Sequence, residues 1–124
     1  MDSTKKNILI VEDESSLSSI LKKALLGEGF DVDIAGDGQI AVSKLKSLRY
    51  DLILLDMYLP KVEGLQFLKE KKKMGNITPT FVFSNINEGD EMKEARELGA
   101  ERYLIKADTS IDELLTIIKE RLKA

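Results

Sequence analysis

With 124 residues, 43% of them hydrophobic, the chain has the size and apolar content of one compact domain, and residues 1–124 are read as a single unit. Lys and Arg number 19 against 22 Asp and Glu, a net charge of -3 that gives no electrostatic reason to expect direct nucleic-acid or membrane contact. Cys 0 excludes disulfides and cysteine-held metals, and His 0 excludes imidazole bases, serine-type triads and phosphohistidine carriers, which leaves carboxylates, Lys, Ser, Thr and Tyr to do chemistry.

The opening "MDSTKKNILIVEDE" has too short an apolar run for a signal peptide, and no later run approaches a membrane span, so a cytoplasmic protein is expected. Within it "NILIV" reads as a buried strand. Leu17, Ile20, Leu21, Ala24 and Leu25 then recur at helical spacing until "GEGF" ends the pattern. "DVDIA" alternates like a strand near a sheet edge, "GDG" turns, and Ile40, Ala41, Leu45 and Leu48 mark a second helix. The third strand is "DLILLD", a continuous apolar run that stops at Asp56 and turns at Pro60. A helix from about Leu65 to Met74 follows, then the strand "TPTFVFS", then a weakly apolar helix marked by Met92, Ala95 and Leu98. "RYLIK" is the fifth strand. Ile111, Leu114, Leu115, Ile118 and Leu122 lay an apolar stripe along a last helix, capped by Thr109 or Ser110.

Strict alternation of five strands and five helices predicts an α/β fold, a doubly wound (βα)5 parallel sheet with helices on both faces. Ligands of such sheets bind at the carboxyl ends of the strands, where the strand order reverses. Polar groups gather at that edge: Glu12 and Asp13 after the first strand, Asp56 after the third, Ser84 after the fourth and Lys106 after the fifth. In the flavodoxin-like order 2-1-3-4-5 the first and third strands are neighbours, and the acids are forced together. Clustered carboxylates either raise a pKa or share a hard cation, and three acids with room for waters suit Mg²⁺ better than Ca²⁺. Ser84 and Lys106 supply a hydroxyl and a cation to an anion beyond that metal, an arrangement suited to holding a phosphoryl group against Asp56.

Taken together these positions resemble the receiver domain of two-component response regulators, and the resemblance runs the length of the chain. It implies that Glu12 and Asp13 in "ILIVEDE" bind Mg²⁺ together with Asp56 and the backbone carbonyl of Tyr58. Asp56 in "LILLDMYLP" would be the phosphoacceptor, followed by a turn at Gly64. Ser84 in "FVFSN" and Lys106 in "YLIKA" would contact the phosphoryl group, and Tyr103, three residues before the lysine, would be the aromatic partner of Ser84 in a switch. The implied function is a phosphorylation-dependent signalling switch rather than an enzyme. The domain assists its own phosphorylation and autodephosphorylation, its donor is a sensor histidine kinase or phosphotransfer protein, and its output partner reads the fourth helix, fifth strand and fifth helix. A homodimer formed on phosphorylation is among the partners the resemblance allows.

Each residue has a plainer reading beside this one. Asp13 could cap the first helix, Ser84 could turn a loop, Tyr103 could be a strand aromatic with a wet hydroxyl, and "LKEKKK" at 68–73 is read as a solvated helix face. Two positions depart from the family pattern. Ala107 stands where receivers carry a proline with a cis peptide, which predicts a trans bond here, and Tyr58 places an aromatic beside the phosphoryl group's solvent path. The rival readings are a degenerate receiver that binds partners without phosphorylation and an aspartyl-phosphate phosphatase. The latter wants a second Asp two residues after the nucleophile, where Tyr58 stands.

Overall fold

The structure is a computed structural model that describes residues 5–59 and 63–123. Strands β1 (Asn7–Val11), β2 (Asp31–Ala35), β3 (Leu52–Leu55), β4 (Thr80–Ser84) and β5 (Ala100–Ile105) alternate with helices α1 (Ser15–Gly27), α2 (Gly38–Ser47), α3 (Gly64–Lys73), α4 (Gly89–Glu97) and α5 (Ile111–Arg121). All strand pairs are parallel, in the order β2-β1-β3-β4-β5, as the alternation predicts. The expected turn at Pro60 lies outside the described residues.

Period-two geometry explains why the central strands are apolar throughout. Leu9, Val11, Ile53, Leu55 and Val82 point to one face and pack with Ala41, Leu45, Phe67, Leu68 and Ala95 of α2, α3 and α4. Ile8, Ile10, Leu52, Leu54, Phe81 and Phe83 point to the other and meet Leu21 and Leu25 of α1 with Leu114 and Ile118 of α5. The edge strand β2 is only partly covered, consistent with its alternation. Three markers of the predicted helix stripes are solvent-exposed: Ile20, Ile40 and Leu48. The sheet-facing arc of α1 runs through Ser18, Leu21 and Leu25, which turns Ile20 away, and Leu48 is the residue that ends α2.

Local chemistry sets the element ends. Ser110 is the cap of α5: its Oγ accepts from Glu113 N–H at 3.1 Å while Glu113 Oε1 accepts from Ser110 N–H at 3.2 Å, a reciprocal capping box. Gly64 opens α3 because nothing larger fits. A Cβ there would stand 2.6 Å from the Met57 Cα, and Gly64 N–H donates to the Met57 carbonyl at 3.1 Å. The fifth strand starts earlier than "RYLIK", at Ala100 beyond a register shift near Thr80, and Lys106 falls in a short 3-10 turn, Lys106–Asp108. Lys71 departs from the solvated-face reading of "LKEKKK". It is only 7% exposed and its Nζ donates to the Asn76 carbonyl at 3.0 Å, closing the carboxyl end of α3.

Among the described residues no helix is long and apolar enough to cross a membrane.

Candidate phosphoacceptor and metal site

The ladder of the sheet carries the acids into place. Val11 is level with Leu55, and the parallel hydrogen bonding continues one residue past both strands. Asp56 N–H donates to the Val11 carbonyl at 2.9 Å, and Glu12 N–H donates to the Ala35 carbonyl at 3.0 Å. Glu12, Asp13 and Asp56 therefore converge, each offering a carboxylate oxygen within 4.8 Å of the others. Glu12 and Asp56 are buried, at 4% and 6% exposure, whereas Asp13 faces solvent. The cap position of α1 is Glu14, so the plainer reading of Asp13 as helix cap does not hold.

Lys106 holds the two buried acids together. Its Nζ donates to Glu12 Oε1 at 2.7 Å and to Asp56 Oδ2 at 3.0 Å, bridging sequence separations of 94 and 50 residues. The remaining oxygens are also served: Tyr58 N–H donates to Asp56 Oδ1 at 3.1 Å and Glu14 N–H to Glu12 Oε2 at 3.1 Å. Burial pushes the Glu12 carboxyl up, with the Asp56 charge adding to it, and the bonds from Lys106 and Glu14 only partly offset the rise. Burial would pull the Lys106 ammonium down, yet its bonds to Glu12 and Asp56 outweigh this and raise it. Two buried carboxylates share one ammonium. An all-oxygen donor set with charge in excess of its neutralising cation is chemically suited to a hard divalent ion.

Ser84 and Tyr103 meet on one loop. Ser84, fully buried, accepts from Ile86 N–H at 3.3 Å through its Oγ, so in this state it does turn the loop. Tyr103 is packed inward and its hydroxyl donates to the Ile86 carbonyl at 2.7 Å. Burial, with the charges of Glu91 and Asp56, pushes the phenol up to about 12, so it stays protonated and a donor. The wet-hydroxyl reading of Tyr103 thus gives way to a buried contact with the main chain behind Ser84. Tyr58 contributes its backbone N–H to the pocket, and the residue as a whole is 70% exposed.

No peptide bond among the described residues is cis, and the freed Ala107 N–H donates to Asn85 Oδ1 at 2.9 Å. This pair was not singled out from sequence. Its signal was Ala107 itself, since a residue in place of proline carries an N–H that must find an acceptor.

Residues 8–119 match the family model described as the response regulator receiver domain. The chain belongs to that family. Similar proteins include the response regulator ArlR of Staphylococcus epidermidis, 34% identical over 117 residues that make up 94% of this chain and 52% of that protein. The receiver domain of a Francisella response regulator superposes with a TM-score of 0.88 at 27% identity, covering 96% of this chain and 98% of that one. The receiver domain of a sensor histidine kinase from Pseudomonas aeruginosa, described with a magnesium ion coordinated in the active site cleft, gives 0.84 at 25% identity, covering 97% and 99%. The chain spans about half the length of the curated relatives it matches.

Proposed function

We propose that this receiver domain accepts a phosphoryl group on Asp56 and passes the event to its surface as a two-state switch, with residues 1–124 acting as one unit in the cytoplasm. The observation that carries the reading is the contact of Lys106 with both Glu12 and Asp56 at the carboxyl edge of the sheet. Three groups far apart in sequence are in mutual reach, as a working phosphoacceptor needs, which favours it over a degenerate receiver. With Tyr58 rather than an acid two residues after Asp56, the phosphatase reading lacks its second carboxylate.

In the transfer, an Asp56 carboxylate oxygen forms the new bond to phosphorus as the bond to the donor nitrogen breaks, and the departing imidazole takes up a proton. The donor is a sensor histidine kinase or phosphotransfer protein, since this chain has His 0 and cannot supply the phosphohistidine itself. Glu12, Asp13, Asp56 and the Tyr58 carbonyl would hold Mg²⁺, which when bound neutralises charge on the phosphoryl oxygens. Lys106 keeps its ammonium charge and exchanges Asp56 Oδ2 for a phosphoryl oxygen, a short movement from its present position. Ser84 can give up Ile86 N–H and rotate its hydroxyl toward the same group. Because Ile86 is also bonded to Tyr103, that rotation reaches β5, and the surface of α4, β5 and α5 is the place for an output partner or a second copy of the chain to read it.

The experiment is phosphorylation by acetyl phosphate, followed by intact mass, with Mg²⁺ or with chelator. Wild type should gain one phosphate only with Mg²⁺, and Asp13→Asn should need more Mg²⁺ for the same rate. Equal mass gain in chelator would remove the metal from the reading.

A further inference from the structure

The two loops that flank the acid pocket are joined by a hydrogen bond that phosphoryl transfer itself does not use. Asn85 follows Ser84 and Ala107 follows Lys106, and Ala107 N–H donates to Asn85 Oδ1 at 2.9 Å across 22 positions. Ala107 lies in the 3-10 turn Lys106–Asp108, and the leading N–H groups of a helical turn have no partner within it. The Asn85 amide oxygen serves one of them from another element. Asn85 is a firm base for this because its neighbour is fixed twice, Ile86 N–H on Ser84 Oγ and the Ile86 carbonyl on the Tyr103 hydroxyl. From that turn the Lys106 side chain reaches Glu12 and Asp56. A lysine stem is flexible, so where its ammonium rests depends on where its main chain is held. Asn85 and Ala107 are both exposed, and an exposed bond of this kind adds little to global stability. Its consequence is local placement.

We propose that Asn85 is a positioning residue: through Ala107 N–H it ties the Lys106 turn to the Ser84 loop, so that the two groups meeting the phosphoryl oxygens are set as a pair. The N–H at position 107 is indispensable to the tie, and a proline there could not supply it. The inference rests on the phosphoacceptor reading of Asp56 and assigns how that site is kept in register.

The test compares wild type, Asn85→Ala, Asn85→Asp, Ala107→Pro and the double variant Asn85→Ala with Ala107→Pro. Amide hydrogen exchange at Ala107, read by NMR without Mg²⁺ or phosphodonor, should quicken about tenfold in Asn85→Ala and stay slow in Asn85→Asp, which keeps an acceptor oxygen. The rate of mass gain from acetyl phosphate should fall about fivefold in Asn85→Ala, while the Mg²⁺ dissociation constant stays within about twofold, because the metal rests on the acids and not on the lysine turn. In the Ala107→Pro background Asn85→Ala should change the rate no further, the donor being already gone. Unchanged Ala107 exchange in Asn85→Ala, or a full effect of Asn85→Ala in the proline background, overturns the tie. A wild type that takes up no phosphoryl group overturns the acceptor reading instead, and the exchange measurement decides the tie regardless.

Discussion

Asp33, at the far side of β1 from β3, is held on both oxygens. Tyr50 Oη donates to its Oδ2 at 2.7 Å and Lys44 Nζ donates to the two oxygens at 3.1 and 3.2 Å, fastening β2 to α2 and to the turn before β3. Burial pushes this carboxyl up, but the bonds from Tyr50 and Lys44 win and hold it below its ordinary 3.8. Burial and the same bond drive the Tyr50 phenol above its ordinary 10.0. The Asp33 contribution is therefore complete above pH 3.8 and is lost as pH falls through its depressed folded value, while that of Tyr50 is present below pH 10.0 and is lost as pH rises toward its raised one. The pair is partly solvated, so Asp33→Asn should cost only about 1 kcal/mol at neutral pH. Urea midpoints of the two proteins should converge on acidification from about pH 7 to about pH 2.5. A gap that stays constant over that range would deny Asp33 this part. The composition named neither partner, because Lys44 and Tyr50 lie 11 and 17 positions away and reach Asp33 only once β2 and α2 are packed.

The loops after β3 and β4 carry the site's mechanical demands. After β3, Gly64 leaves no space for a side chain: alanine would press on the Met57 backbone, one residue past Asp56, where no rotamer change gives relief. Gly64→Ala should destabilise by about 1–3 kcal/mol, read as a lower urea midpoint with unchanged slope, and should slow phosphorylation through displacement of Asp56. Wild-type stability in that variant would show that the loop yields freely. After β4, Ser84 holds the N–H and Tyr103 the carbonyl of Ile86, so in the proposed switch the hydroxyl that turns this loop is the one that would report a phosphoryl group. Ser84→Ala should leave Asp56 able to be phosphorylated yet remove the phosphorylation-induced amide shifts along β5. Shifts equal to those of wild type would take Ser84 out of the relay. The residues of these loops were legible from their places at strand ends. Their bonds were not, since Ser84 to Ile86 is a local turn that any loop serine could make, and Tyr103 to Ile86 depends on β5 lying beside β4.

At the scale of the whole molecule, the sequence pattern was sufficient for the elements and for the edge at which the acids gather. Continuous apolar runs in β1, β3 and β4 require burial on both faces, and the helical spacings between them supply the covering layers. What the pattern left open was non-local. Ile20 and Ile40 fit an apolar stripe and are nonetheless exposed, because the stripe is wider than the arc a helix buries on a sheet, while Leu48 is exposed because α2 ends there in extended backbone. Lys106 was identified as the cation of the site, but its contact with Glu12 follows from β1 and β5 both delivering their ends toward β3 and β4, a consequence of sheet order. That order brings Asp56, Lys106, Glu12 and Asp13 to one pocket, and on it rests the central proposal that Asp56 is the phosphoacceptor. The most direct measurement is the mass of the intact protein after acetyl phosphate and Mg²⁺, with borohydride reduction and peptide mapping to locate the acyl phosphate, in wild type and Asp56→Asn. One phosphate on wild type, reduced product at residue 56 and no added mass on Asp56→Asn are the predicted results; an Asp56→Asn protein that gains one phosphate at the wild-type rate would contradict the account.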